Sequence, residues 1–247
     1  MRKLAKRVSL SVFAVAMSTA AAFAADMQAP PFVEYEPLPP VEIGSGWYLR
    51  GDLGAAAYSG GHGSWLPVAS ADPEFYNEHI ENGLVAGAGI GYYFNEKLRG
   101  DLTVDYHGKA KLTGNAPCTE LNCSTIETLN FSAWTLMLNG YYDIGTWNSM
   151  TPYIGAGAGM AYLRTSDYTT TKGYAFGDYG KVNFAWNVMA GASFDISDRL
   201  KFDTNYRLVS LGTARTDHPT TNPSENPVKF ENLYAQEIRV GLRYDLN

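Results

Sequence analysis

The chain has 247 residues, room for one large domain or two small ones, and carries 19 basic against 25 acidic residues for a formal net charge of −6. Charged residues make up only 18%, while Gly (25) and Tyr (17) are abundant, which suits β-structure with exposed aromatic surface better than a helical bundle. The acidic balance argues against nucleic-acid binding, which needs a basic footprint.

Met1–Arg7 holds four positive charges, Val8–Ala22 is apolar apart from Ser9, Ser11, Ser18 and Thr19, and Ala22-Phe23-Ala24 has the small-x-small form of a cleavage site. A basic start, a short apolar core and such a site read as a secretory signal peptide over residues 1–24. Without its four cations, 15 of the 19 basic residues remain against 25 acids, a net −10. No later run of apolar residues is long enough for a spanning helix, so a membrane location requires a closed β-barrel.

Residues 25–45 hold five prolines and four acids (Asp26, Glu34, Glu36, Glu42) and no base. This composition predicts an extended periplasmic arm or spacer. Beyond it, residues 46–247 show period-two alternation eight times. The predicted strands are Trp47–Ala57, Gly83–Phe94, Leu98–His107, Asn130–Ile144, Pro152–Leu163, Asn183–Ile196, Leu200–Leu208 and Leu233–Leu246. Each has at least the roughly 9–11 residues that a tilted membrane strand needs, and is longer than the usual soluble strand of about 5–6.

The connections alternate. Asn95–Lys97, Gly145–Thr151 and Ser197–Arg199 are short, whereas Tyr58–Asn82, Gly108–Leu129, Arg164–Val182 and Gly212–Asn232 are long and polar. One turn of helix is conceivable at Phe75–Glu81. The apolar faces carry no charge in their middle positions and place aromatics such as Trp47, Phe94, Trp134, Tyr162 and Tyr234 near their ends. Strand length, loop asymmetry and aromatic girdles together predict an all-β fold. It is an eight-stranded antiparallel up-and-down transmembrane β-barrel with short periplasmic turns and four long extracellular loops. A soluble barrel explains these features less well.

The opposite faces carry Arg50, Arg99, Lys201, Arg207, Arg239 and Arg243 against Asp52, Asp101, Asp105, Asp203 and Glu237. These near-balanced charges are expected to pair inside the lumen, Arg99, Asp101 and Asp105 with Arg50, Arg207 and Arg239, because buried charges must be compensated. Eight strands leave an interior that side chains fill, so the lumen reads as structural packing and not as a general diffusion pore. A narrow channel through the charge network is the alternative.

Cys118 and Cys123 lie in the second loop, where an oxidising compartment predicts a disulfide. Neither a cofactor nor a metal site is expected, since no His or second Cys pair accompanies them. His62, His79 and His218 are scattered over predicted loops. A lipid A-modifying enzyme would need a nucleophile beside a base. His107 and Asp105 share a face, but no nucleophile motif accompanies them, and His107 reads as a rim residue hydrogen-bonded to Asp105. The glycine runs Gly87–Gly91 and Gly155–Gly159 keep a strict period of two and lack the Lys and helix of a phosphate loop.

SGWYLRGDLG after the Pro-rich arm, TPYIGAGAGMAY in the fifth strand and QEIRVGLRYDL at the C-terminus resemble the opacity-protein-like outer-membrane surface proteins. These are small barrels similar to the OmpA transmembrane domain, and the resemblance runs from Ser45 to Asn247. It implies a monomer in the outer membrane of a Gram-negative cell, in contact with lipid and lipopolysaccharide, with both termini in the periplasm. It also implies roles in envelope integrity, in adhesion to host or envelope partners through the loops or, in some members, in haem binding. No catalytic residue carries over, and a non-enzymatic surface protein is the expected function. One departure is the end of the chain, where Tyr244 or Leu246 stands in for the terminal aromatic common in such barrels.

Overall fold

The computed structural model describes residues 46–60, 62–65, 76–117, 124–171, 177–217 and 228–246. The expected signal peptide, the Pro-rich arm and the Cys118/Cys123 pair lie outside them. Ten strands are present: β1 (Trp47–Ser59), β2 (His62–Trp65), β3 (Tyr76–Ile80), β4 (Gly83–Tyr93), β5 (Leu98–Pro117), β6 (Ser124–Asp143), β7 (Met150–Thr170), β8 (Tyr179–Asp195), β9 (Leu200–Arg215) and β10 (Val228–Asp245).

Eight of them form the ring. β4 to β10 pair antiparallel in sequence order, and β1 pairs with both β4 and β10, so the sheet closes on itself. Closure leaves no edge, the condition for a β-sheet to cross hydrocarbon. The two short strands lie past the loop-end limits of β1 and β4. β2 continues the place of β1 beside β10, and β3 continues the place of β4 beside β5. The residues expected to form a turn of helix are therefore strand at Tyr76–Ile80, because pairing with Thr113 and Asn115 of β5 satisfies their backbone.

Around the ring runs a belt of exposed apolar side chains. It spans Leu98 to Tyr106 on β5, Trp134 to Tyr142 on β6 and Ile154 to Tyr162 on β7. Each stretch covers nine residues, about what a tilted strand needs to cross the hydrocarbon layer. Within it the inward positions of β5 are polar, at Arg99, Asp101, Thr103 and Asp105, while those of β7 are mostly glycine.

The strands do not stop where the belt stops, and this corrects the expected boundaries. β5 runs ten residues past His107, and β6 begins six residues before Asn130. Much of what the sequence suggested as polar loop is paired strand. The cause is a change of solvent. Beyond the belt the outer surface faces water, so the apolar side chains go inside. Ala110, Leu112, Leu129, Phe131, Leu163, Val209, Leu211, Val228, Phe230 and Leu233 form one buried cluster there. β6 makes this exchange with unbroken alternation, its outward positions passing from Leu138, Leu136 and Trp134 to Ser132, Asn130 and Thr128.

β5 makes the same exchange through a bulge, and β7 and β9 carry bulges a little beyond it. On β5 the register shifts between His107 and Ala110, which turns Lys109 outward and Ala110 inward. On β9 the shift falls at Gly212, whose φ of +83° is a conformation that favours glycine. Asp167 on β7, with φ of 54°, sits at a third shift.

The apolar interior beyond the belt makes a direct prediction for β6. Phe131→Ala should lower folding stability by about 3–5 kcal/mol, read from urea unfolding in detergent micelles. Ile126→Asn, on the opposite face and 53% exposed, should stay within about 0.5 kcal/mol of the parent. Equal effects would refute an apolar core at this level.

Candidate functional site

The lumen brings most of the expected charged residues together, in three layers. At the turn end, two arginines lie against tyrosine rings. The Arg99 guanidinium stands 4.0 Å from the Tyr141 ring centroid and 4.5 Å from that of Tyr153. Arg243 stands 5.4 Å from Tyr48 and 5.6 Å from Tyr93. Arg99 Nε donates to Asp143 at 3.2 Å, and Arg243 Nη1 is 3.6 Å from Asp203. All of these side chains are buried or nearly so.

The middle layer is an ion network. Arg50 donates to Asp52 at 2.7 and 2.9 Å, to Asp101 at 2.8 Å and to the Tyr141 hydroxyl at 2.6 Å. Asp101 also accepts from Asn139 at 2.8 Å and from Tyr141 at 3.2 Å. Asp105 is fully buried and accepts from Arg207 at 3.0 Å, Arg239 at 2.6 Å and the Thr135 hydroxyl at 3.3 Å. Arg207 bridges onward to Glu237 at 2.8 Å. From the expected set of partners, Asp101 meets Arg50, and Asp105 meets Arg207 and Arg239.

Room for these heads comes from glycine on β4. A Cβ at Gly87 would run into the Asp105 carboxylate and Arg239. The void left at the centre, lined by Arg50, Thr103, Met189, Arg239 and others, is about 10 Å³, roughly the space for one water.

The third layer, beyond the belt, is the apolar cluster. Above it Glu127 is buried and accepts from the Thr125 hydroxyl at 2.6 Å and the Tyr168 hydroxyl at 2.8 Å. Glu127 lies seven residues past Trp134 and hence outside the membrane belt. Burial raises its carboxyl pKa above the ordinary 4.5, against the lowering by the two hydroxyls.

Two expectations need correction. His107 is not a rim residue. It is fully buried, with Nδ1 at 3.6 Å from Glu237 and 3.4 Å from the Tyr58 hydroxyl, because β5 continues well beyond it. Lys201 is not part of the closed network. Its side chain is 22% exposed and reaches Asp195 at 2.7 Å at the turn-end rim. Asp143 was missed as the partner of Arg99, although it continues the inward alternation of Asn139 and Tyr141. The stacking of Tyr48, Tyr141 and Tyr153 on arginines had no sequence signal, since it depends on strands brought together across the ring. The side chain of His62, and all of His218, lie outside the described residues. Among those residues no group of three His, Cys, Asp or Glu side chains is arranged to hold a metal ion.

A closed ring with an apolar belt and a polar, packed lumen is the geometry of a membrane barrel. The model of the outer membrane protein beta-barrel domain matches residues 10–245. The chain belongs to this family. It is an eight-stranded barrel of the outer membrane.

An uncharacterized protein of Brucella abortus (strain 2308) is 32% identical to the barrel chain, over 96% of this chain and 97% of its own length. A Rickettsia felis protein, named as a candidate adhesin, is 27% identical over 83% of this chain and 90% of its own. Among solved structures, the outer membrane protein OprG from Pseudomonas aeruginosa shares the fold, with a TM-score of 0.51 at 13% identity, covering 81% of this chain and 96% of that one.

The network predicts unequal costs around the barrel. Asp105→Asn leaves Arg207 and Arg239 short of a buried counter-charge and should cost about 3–5 kcal/mol in unfolding experiments. Lys201→Gln, at the wet rim, should cost about 1 kcal/mol or less. The reverse order would refute a closed, charge-paired lumen.

Proposed function

We propose that the protein is a sealed, non-enzymatic surface barrel that contributes to envelope integrity and presents its loop end outside the cell to host or envelope partners. The observation that carries this reading is the filled lumen. Tyrosine-stacked arginines, a near-balanced network of five arginines and six carboxylates, and an apolar core follow one another along the axis, with a central void of about 10 Å³. Such an interior supports a role in which the wall and the loops act and the bore does not. The candidate-adhesin name of the Rickettsia felis relative favours partner binding by the loops. Residues 1–24 are read as the signal peptide, residues 25–45 as the periplasmic arm and Cys118–Cys123 as a loop disulfide, each on its sequence pattern.

The sealed lumen is tested by reconstitution in planar bilayers. The expected result is no steady conductance, and sustained open-pore currents would overturn the reading. Partner binding is tested by displaying the chain on a non-adherent bacterium and counting attached cells. Attachment should rise, and should fall again when residues 118–123 are replaced by a short glycine-serine link. No gain over the empty strain would sink the adhesive role.

A further inference from the structure

The outer wall carries one composite feature that the lumen does not use. Tyr106, Trp134 and Tyr162 stand in a single register row on β5, β6 and β7, all outward and 37%, 52% and 44% exposed. The Tyr106 and Trp134 rings are 4.7 Å apart. This row is the loop-end limit of the apolar belt. Two positions higher, Ser132 pairs with Arg164, and beyond that Lys111, Asn130 and Ser166 form the next outward row. Lys109 joins them because the β5 bulge turns it outward, leaving its side chain 66% exposed. At about 3.3 Å per residue along a strand, the cations sit within one headgroup depth of the aromatic row.

We propose that this face binds the phosphorylated glycolipid of the outer leaflet, lipid A, with its phosphates on Lys109, Lys111 and Arg164 and its sugar rings over the aromatic row. The inference rests on the reading that puts the loop end outside. The chain as a whole is acidic, with a net charge of −6, and its general field repels an anionic layer. On this side, exposed cations at the headgroup level offer a phosphate direct ion pairs.

Three acids stand nearby. Asp167 lies 3.7 Å from Lys109, Asp178 lies 2.9 Å from Arg164, and Glu81, whose backbone N–H donates to the Lys111 carbonyl at 2.9 Å, sits beside Lys111. Both pairs are at least half exposed, so they hold their cations weakly and yield to a phosphate. Lys111 has no ion-pair partner among the described residues. On the β10 side of the barrel, by contrast, Lys229 is bound to Glu231. A hydroxyl and amide surface, Ser132 and Asn130, fills the space between the cations and suits a sugar.

The test uses the full chain refolded in detergent micelles, with closure verified by its heat-shifted gel migration. Tryptophan emission is followed during titration with bis-phosphorylated lipid A, with lipid A stripped of phosphate, and with phosphatidylglycerol. The phosphorylated form should bind at least roughly tenfold more tightly than either other lipid. Lys111→Gln combined with Arg164→Gln should remove that preference, and Lys229→Gln should leave it intact. Equal binding of the two lipid A forms, equal binding of phosphatidylglycerol, or an unchanged double variant would each overturn the proposal. Protease cleavage of the loops on intact cells reports separately on the outward placement of the loop end, so the two readings fail independently.

Discussion

Where this chain crosses hydrocarbon, its backbone has no water to bond to. Every N–H and C=O of the belt must find a partner in another strand, and the pairing of β1 with both β4 and β10 is what provides it. Much of the remaining structure follows from that closure. A ring of eight strands has an interior only wide enough for side chains, so whatever faces inward must pack and be satisfied there. Glycines on β4 give up volume so that Asp105 and Arg239 can meet. Arginines with planar, multidentate heads serve this confined space better than lysines, and the one lysine among the expected lumen charges, Lys201, is found at the wet rim.

The interior is organised by the medium outside it. Along the belt the exterior is lipid, and the polar residues withdraw to the lumen, where each charge has a partner. Past the belt the exterior is water, and the arrangement inverts to that of a soluble β-barrel, with Phe131, Leu129 and Leu211 inside and serine, threonine, asparagine and lysine outside. One strand therefore obeys two opposite burial rules along its length. β6 manages the change by composition alone. β5 uses a register shift, and the shifts of β7 and β9 come a few residues after the change, keeping Tyr168 and Ala214 inside. The shifts lie near the level where the solvent changes, as expected for bulges that re-aim side chains.

This layering separates two surfaces with different chemistry. The bore is packed from the stacked tyrosines at one end to the apolar cluster at the other, and its charges are used up in pairing. The outer wall just beyond the belt is the opposite: its cations are exposed, weakly held and set beside aromatic rings. The proposed contacts with other molecules lie on that wall and on the loops above it.

Alternation, strand length and the short–long order of the connections made the ring, the belt and the inward charges legible. A period of two fixes which residues share a face, and strand length, loop asymmetry and aromatic girdles turn the charge-free face to lipid. Asp101 and Asp105 could be matched with Arg50, Arg207 and Arg239 on charge and face alone. The tertiary structure decided what depends on pairing across the ring. The strands continue past the belt because inward apolar residues such as Leu112 and Phe131 are covered there by other strands, which no single-strand pattern reveals. His107 looked terminal because its strand's apolar face ends at Tyr106, yet the bulge after it restarts the alternation with the faces exchanged, and the imidazole lies deep beside Glu237. The sequence determined the faces of each strand; only closure decided how far the strands run and which side chains meet.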